Sequence, residues 1–203
     1  MSQIALPLAT ATGPERILLG ESIQDVVDGF AAVERWPFRT AVLAGPARSG
    51  KSLLARYFAE SGIGEAIDDA DRMDEDALFH RWNRAQAHQR PLLLVSGRVP
   101  GAWTIVLPDL ASRLGSALLL EIGPPDDSLV EALAIQHAAR RGLVLGDGAL
   151  AWLLPRIERS HAAIEQVIAA ADRLSLERRH PVTISLLRDA LADCGGGREP
   201  RLL

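Results

Sequence analysis

The sequence predicts an α/β fold, in which a parallel sheet is flanked by helices and is followed by a small all-helical domain. Three observations lead to this fold class. An apolar run at residues 40–44 is followed by a glycine-rich loop and then by a helical pattern at residues 53–59. Apolar runs and helical patterns continue to alternate up to residue 122, which is typical of a parallel sheet covered on both faces. After Gly-Pro-Pro at residues 123–125, only helical patterns remain.

The composition is that of an ordinary globular protein. The 203 residues are 48% hydrophobic and 24% charged, so the chain is long enough to bury a core in one large or two small domains. The net charge of −4 gives no overall positive field for nucleic acid, and no apolar run is long enough for a membrane span. The N-terminus lacks the pattern of a signal peptide, and a single cysteine excludes an intramolecular disulfide. We therefore expect a cytoplasmic protein.

Residues 1–14 are expected to form an extended, mobile arm, because proline and glycine interrupt them. Within this arm, Gln3, Leu6 and Leu8 have the spacing of an amide and two apolar side chains that dock into a partner's groove. A strand that pairs with the chain's own domain explains the same pattern equally well. The α/β domain is expected to span residues 15–124. Its first helix is predicted over residues 22–36, with Ser22 as a candidate cap.

The glycine-rich loop fits the phosphate-loop pattern G-x-x-x-x-G-K-[S/T] at every fixed position. In such a loop the backbone amides surround an anion, and the N-terminus of the following helix adds its positive end. Lys51, the only lysine among the 22 basic residues, would reach the outer phosphates of a nucleotide, and Ser52 would hold magnesium. The predicted nucleotide-binding residues are Gly45, Pro46, Ala47, Arg48, Ser49, Gly50, Lys51 and Ser52.

An acidic pair, Asp68 and Asp69, ends a short apolar segment at residues 63–69. In phosphate-loop enzymes, acidic residues at the end of a neighbouring strand organise magnesium and the attacking water. Asp68 is therefore a candidate metal ligand, and Asp69 is a candidate catalytic residue. A charged loop over residues 68–72 is the alternative interpretation.

The remaining segments complete the two domains. A helix over residues 74–89, a strand over 91–97, a segment over 103–108 that leads into residues 109–114, and a strand over 117–122 finish the α/β part. The helical domain is expected to span residues 125–192, and a disordered glycine-rich tail follows over residues 193–203. The four helices of the helical domain are predicted over residues 126–141, 146–157, 160–179 and 183–191.

A nucleotide-binding α/β module with a small helical lid resembles the layout of AAA+ proteins. Residues 107–114, Leu-Pro-Asp-Leu-Ala-Ser-Arg-Leu, closely resemble the segment that carries the arginine finger in the bacterial initiator DnaA and its relatives. Residues 3–8, Gln-Ile-Ala-Leu-Pro-Leu, resemble the sliding-clamp-binding peptide of the DnaA-related Hda family. The resemblance to that family covers residues 3–191.

The resemblance implies a negative regulator of replication initiation. Such a protein binds the DNA polymerase sliding clamp through Gln3, Leu6 and Leu8 and promotes ATP hydrolysis by DnaA. Arg113 matches the finger position and would act in trans, whereas a salt bridge within its own domain is the alternative role. The implied partners are the clamp and DnaA, and a homodimer is compatible with the family. Because the chain ends after the lid, we expect no sequence-specific DNA binding.

Two positions depart from the family pattern. Relatives place an acidic sensor after the strand at residues 92–95, and the nearest polar residue here is Ser96. In the lid, relatives carry a sensor arginine at the position that Ala162 occupies in this sequence. We therefore expect binding of ADP or ATP with Mg²⁺, and little or no intrinsic ATPase activity. One alternative is a self-sufficient DnaA-like or helicase-loader-like ATPase that acts on DNA. Another is a scaffold without nucleotide, but the retention of Lys51 and Ser52 argues against it.

Overall fold

The computed structural model describes residues 5–10, 13–18 and 20–195, with side chains for residue 20 and residues 23–195. The contacts among these residues divide the chain into two compact units at Gly123 and Pro124. The sequence predicted a boundary between residues 124 and 125.

The first unit contains a four-stranded parallel sheet in the order β4-β5-β3-β6. The two central strands are buried along their whole length, as their continuous apolar runs predict. This arrangement confirms the predicted α/β class. The strands are β3 (Thr40–Ala44), β4 (Glu65–Ile67), β5 (Leu92–Ser96) and β6 (Leu118–Glu121), and the helices are α1 (Glu21–Ala31), α2 (Lys51–Glu60), α3 (Glu75–Ala87) and α4 (Pro108–Ser116).

The register of the sheet brings the carboxyl ends of its strands to one edge. Ala44 at the end of β3 lies opposite Ser96 of β5 and Glu121 of β6, and Ile67 at the end of β4 lies opposite Leu94. The loops that follow β3, β4 and β5 therefore begin side by side. In open α/β sheets this edge is where ligands bind.

An aromatic cluster determines where α1 ends. The indole of Trp36 stacks on Phe58 of α2, with ring centroids 5.5 Å apart, and its Nε1 donates a hydrogen bond to the carbonyl of Gly29. These contacts bend the chain back after Ala31, so two 3-10 turns replace the last part of the helix predicted up to residue 36. The expected cap at Ser22 is also wrong, because α1 begins at residue 21 and Gly20 occupies the N-cap position.

The N-terminal segment contains a pair of antiparallel strands, β1 (Ala5–Thr10) and β2 (Gly13–Leu18), which form a separate sheet. In their register Leu6 lies opposite Ile17 and Leu8 lies opposite Glu15. In the described residues these strands pair with each other and not with the four-stranded sheet, and the arm expected over residues 1–14 stays a prediction. Gln3 lies outside the described residues.

The second unit is all-helical, as expected from residues 126–191. Its helices are α5 (Asp127–Arg140), α6 (Asp147–Leu153), α7 (His161–Arg178) and α8 (Ile184–Asp193). Side chains of Asp126, Ser160 and Thr183 accept hydrogen bonds from backbone amides three residues further on and so cap α5, α7 and α8. Of the tail expected over residues 193–203, Asp193 ends α8, and residues 196–203 lie outside the described part. Within the described residues, no helix combines the length and apolarity needed to cross a bilayer.

Candidate functional site

The phosphate-loop residues connect the end of β3 to the start of α2. Gly50, the N-cap of α2, has a φ of +89°, a left-handed conformation that glycine adopts at little cost. No side chain caps α2, and its first turn contains no acidic residue. The first amides of α2 therefore have neither an intrahelical acceptor nor a side-chain cap, which is the arrangement that binds a phosphate group at a helix N-terminus.

Gly45 lies where the loop passes close to the end of β6. A Cβ atom at this position would be 3.0 Å from Cβ of Ile122, 3.2 Å from its carbonyl oxygen and 3.2 Å from Oγ of Ser49. A side chain at this position would therefore force Ile122 or Ser49 to shift by a few tenths of an ångström, so glycine suits this close packing. Ser49 is only 2% exposed, and its hydroxyl has no hydrogen-bond partner among the described residues, so it belongs to the interior of the loop.

Lys51 is folded back onto the loop that precedes it. Its Nζ donates hydrogen bonds to the carbonyl oxygens of Gly45, at 2.9 Å, and Pro46, at 2.7 Å. Because an ammonium group has three donors, one remains for another partner. Partial burial lowers the pKa of Lys51 from its usual value of 10.5, and the carboxylates of Asp68, Asp71 and Asp69 act in the opposite direction.

A cavity of about 450 Å³ brings the loop and the acidic pair together. It contains residues from the phosphate loop, from the segment after β4 and from the turn after β5. The other predicted loop residues, at positions 45, 46, 49 and 50, shape the loop without lining the cavity, and Arg113 does not line it either. The lining residues are Ala47, Arg48, Lys51, Ser52, Asp68, Asp69, Asp71, Arg72, Gly97 and Arg98.

The acidic pair follows β4 in a tight turn. The backbone amide of Asp69 donates to Oδ1 of Asp68, and Asp69 has a φ of +48°, in the left-handed region that aspartate tolerates better than most residues. Both residues are exposed and line the cavity. The turn therefore places both carboxylates on the same side of the sheet as Lys51.

Asp71 is a site residue that the sequence reasoning missed. Its Oδ1 accepts a 3.4 Å hydrogen bond from the amide of Gly97, and its Oδ2 lies 3.7 Å from the place that a Cβ on Gly97 would occupy. The available signal was a third carboxylate two residues after Asp69, which the sequence analysis assigned only to the alternative of a charged loop. This carboxylate therefore lies beside the turn after β5.

Ser96, the polar residue nearest to the expected sensor position, is fully buried and occupied by a local turn. Its hydroxyl donates to the carbonyl of Arg98, at 2.7 Å, and accepts from the amide of Arg98, at 2.9 Å. Ser96 therefore closes the turn after β5 and does not line the cavity.

The cavity suits magnesium that arrives with a nucleotide. In the part of the chain that the structure describes, no group of three or more His, Cys, Asp or Glu side chains converges on one point. Mg²⁺ is commonly held by one or two carboxylates together with substrate phosphates. Ser52 and Asp68 line the same cavity and provide a hydroxyl and a carboxylate for such an ion.

Arg113 lies on α4 and contacts α3. Its Cζ is 4.1 Å from the ring centroid of Trp82 and 4.5 Å from that of Phe79, and its Nη1 donates a 2.6 Å hydrogen bond to Oδ1 of Asn83. None of the ion pairs found among the described residues includes Arg113. The salt bridge considered as an alternative is therefore not present there, and the guanidinium is held by neutral groups.

Comparisons with known proteins agree with this architecture. Residues 126–191 match the family model described as Hda, lid domain. Domain III of the replication initiation protein DnaA from Thermotoga maritima has 14% sequence identity, and the match covers 86% of this chain and 93% of that one with a TM-score of 0.68. The P216G mutant of RuvB from the same organism has 14% identity, with 87% and 71% of the two chains covered and a TM-score of 0.62.

A third structure, the replication initiator DnaA bound to AMPPCP and single-stranded DNA, has 16% identity and a TM-score of 0.59. The match covers 79% of this chain and 66% of that one. At such low identity these structures show the shared fold, and the match over residues 126–191 adds the family of the lid. The chain therefore has the fold shared by domain III of DnaA and RuvB, and its residues 126–191 are similar to the lid domain of the Hda family.

Proposed function

We propose that this chain is a negative regulator of chromosomal replication initiation that promotes ATP hydrolysis by DnaA. The observation that carries this proposal is the match of residues 126–191 to the Hda lid domain, in a chain whose α/β unit has the fold of DnaA. The protein acts in the cytoplasm, with DnaA and the DNA polymerase sliding clamp as its partners, and a homodimer fits the same role.

The proposed nucleotide is ADP or ATP with Mg²⁺, bound in the cavity beside Lys51. The amides of the phosphate loop and of the first turn of α2 would hold the phosphates, since no side chain caps this helix. Ser52 and Asp68 would hold the metal ion, and Asp69 is the candidate for orienting a water molecule. A structural neighbour with the DnaA fold that was solved with AMPPCP supports this assignment.

Arg113 is proposed as the residue that acts on DnaA. A guanidinium supplied in trans neutralises charge on the transferring γ-phosphoryl group, and such fingers contribute about 10³–10⁵ in rate. Arg113 does not line the cavity of its own chain, and the side chains that hold it are neutral. Both facts favour a role toward a second subunit.

Clamp binding is proposed to use Gln3, Leu6 and Leu8. The two leucines lie in β1, which among the described residues pairs with β2 in a two-stranded sheet. Such a sheet is marginally stable alone, so β1 can exchange this pairing for a partner's groove. Capture of this chain on immobilised clamp should be lost in the Gln3→Ala and Leu6→Ala variants, and undiminished capture would remove clamp binding from the proposal.

The decisive experiment measures hydrolysis of DnaA-bound ATP in the presence of clamp loaded on DNA. Wild type is expected to accelerate hydrolysis, and Arg113→Ala is expected to lose about 10³-fold or more of that acceleration. Arg84→Gln, which removes an exposed arginine from α3, serves as the matched control and should act like wild type. Equal activity of Arg113→Ala and wild type would exclude the finger.

A self-sufficient DnaA-like or helicase-loader-like ATPase acting on DNA is the second candidate. It is favoured by one observation, which is that Asp69 and Asp71 line the same cavity as Lys51. Such a protein would hydrolyse ATP without DnaA and would respond to DNA.

A further inference from the structure

Three residues of α3 surround the guanidinium of Arg113. Trp82 and Asn83 lie three and four positions after Phe79, so the three residues share one face of the helix. We refer to these three residues as the arginine cradle. Two of them contact Arg113 through their rings, with Cζ 4.5 Å and 4.1 Å from the centroids, and the third accepts a hydrogen bond from Nη1 at 2.6 Å.

The cradle holds a cation without cancelling its charge. Aromatic faces attract a guanidinium through their quadrupoles, and an amide oxygen accepts a hydrogen bond while remaining neutral. Asparagine and aspartate side chains have nearly the same shape, so an aspartate at position 83 would form an ion pair with Arg113. Because the guanidinium has five N–H donors and the structure gives one bond, from Nη1 to Asn83, most of its donors remain available for an anion.

The cradle is also anchored in the core of its unit. Trp82 is only 7% exposed and packs among the core residues, and its ring lies 6.4 Å from that of Phe38. The same helix holds the start of α4, because the carboxylate of Glu75 accepts hydrogen bonds from the amides of Val106 and Leu107. The helix α3 thus holds the beginning of α4 through Glu75 and holds Arg113, near the end of α4, through the cradle.

We propose that Phe79, Trp82 and Asn83 are positioning residues that keep Arg113 in one orientation with its charge available for a phosphate group of another subunit. This inference rests on the proposed function. An arginine that is already oriented loses less conformational freedom when it meets its target, and it does not have to leave a carboxylate first. The orientation of Arg113 therefore contributes to the rate of hydrolysis in the partner, in addition to the packing that Trp82 provides in the core of this chain.

The experiment replaces the neutral acceptor by a charged one. In the assay with DnaA and DNA-loaded clamp, Asn83→Asp is expected to lower the maximal acceleration of ATP hydrolysis about 10- to 100-fold, since a charge-assisted hydrogen bond must be broken before Arg113 can act. The concentration of the chain that gives half the maximal effect should stay unchanged. The midpoint of thermal unfolding should be equal or higher, because the substitution adds an ion pair.

A second pair of variants tests the aromatic part of the cradle. Phe79→Leu keeps apolar volume but removes the ring, whereas Phe79→Tyr keeps the ring, so the tyrosine variant is expected to retain more of the acceleration. Arg84→Gln changes the net charge by the same single unit as Asn83→Asp and lies exposed on the same helix, so it controls for charge.

The outcomes separate this inference from the proposed function. If Arg113→Ala is inactive while Asn83→Asp and Phe79→Leu act like wild type, the cradle does not position the finger and the inference is overturned. If Arg113→Ala itself acts like wild type, the proposed finger is wrong, and the inference is wrong with it. A loss of activity in Asn83→Asp that is accompanied by a lower unfolding midpoint would also contradict the inference, since it indicates a structural role.

Discussion

At the scale of single residues, the sequence predicted the identity of the loop residues better than their contacts. The spacing of Gly45, Gly50 and Lys51 is a property of the sequence, and the cavity contains Lys51, Ser52 and the acidic pair as expected. Neither the bonds from Lys51 to two loop carbonyls nor the approach of Asp71 to Gly97 could be predicted. Both depend on how the loops after three different strands fold back at one edge.

Lys51 yields a prediction on pH. The pKa of Lys51 in the folded chain is lowered from the ordinary value of 10.5. At a pH between the lowered pKa and 10.5, the folded chain therefore binds fewer protons than the unfolded chain. The contribution of Lys51 to stability therefore rises with pH through this window and is lost below it. A bound phosphate favours the charged form, so the affinity for ADP should fall as the pH rises through the lowered pKa.

The titration of Lys51 can be followed directly, because it is the only lysine in the chain. Reductive methylation with a ¹³C label gives one lysine signal, whose chemical shift against pH reports the pKa with and without ADP. The pKa should lie below 10.5 without ADP and should rise when ADP binds. In Lys51→Arg, the affinity for ADP should show no such fall at alkaline pH, and an identical fall in both proteins would assign the effect to another group.

At the scale of elements, α3 organises the second half of the α/β unit. The sequence predicted this helix over residues 74–89 from its apolar side, and the structure has it over residues 75–87. The contacts of Glu75 in its first turn with residues 106 and 107, and of Asn83 two turns later with Arg113, were not predicted. Polar residues on a helix look alike in sequence whether they face solvent or the backbone of a neighbouring helix.

Glu75→Gln tests how strongly α3 holds the start of α4. The carboxylate accepts from two successive amides, at 2.9 Å and 2.7 Å, and a neutral amide would replace these bonds only in part. We expect the free energy of unfolding to fall by about 1–2 kcal/mol, as for hydrogen bonds to a charged group. Asp76→Asn is the matched control, since it removes a charge from the same first turn of α3 but at an exposed position. Denaturant unfolding of both variants measures the difference, and equal losses would attribute the effect to the helix dipole.

A glycine before β4 gives a second prediction at this scale. A Cβ on Gly64 would lie 2.4 Å from the carbonyl oxygen of Pro91 and 2.7 Å from Cε1 of Phe58, so there is no room for it between β5 and α2. Gly64→Ala is expected to lower the free energy of unfolding by about 1–3 kcal/mol, the range found for overpacking. Gly101→Ala, where a Cβ has nothing within 4 Å, should change it by less than about 0.5 kcal/mol. Similar values for the two variants in chemical unfolding would contradict this account of β4.

At the scale of the whole molecule, the succession of elements was predictable, whereas features that depend on distant residues were not. Continuous apolar runs and the change at Gly123 are local signals, and they gave the parallel sheet and the following helices. The early end of α1 depends on Trp36 meeting Phe58, which is 22 positions away in the chain. The pairing of β1 with β2 was not predicted, because alternation of apolar residues does not specify the partner of a strand.

The last prediction concerns catalysis by the isolated chain. Magnesium ligands and a phosphate loop alone hydrolyse nucleotides slowly, whereas added positive charge from an arginine accelerates the reaction greatly. The resemblance to the Hda family aligns Ala162 with the sensor arginine of the lid, and Arg159 near that position forms an ion pair with Asp127. We therefore expect ATP turnover below about 10⁻² s⁻¹, and no stimulation by single-stranded DNA, since the net charge of −4 provides little attraction. Release of phosphate from ATP, with Lys51→Ala as the control for contaminating activity, measures this rate. A faster rate that requires magnesium, rises with DNA and is lost in Lys51→Ala would favour the self-sufficient ATPase over the regulator.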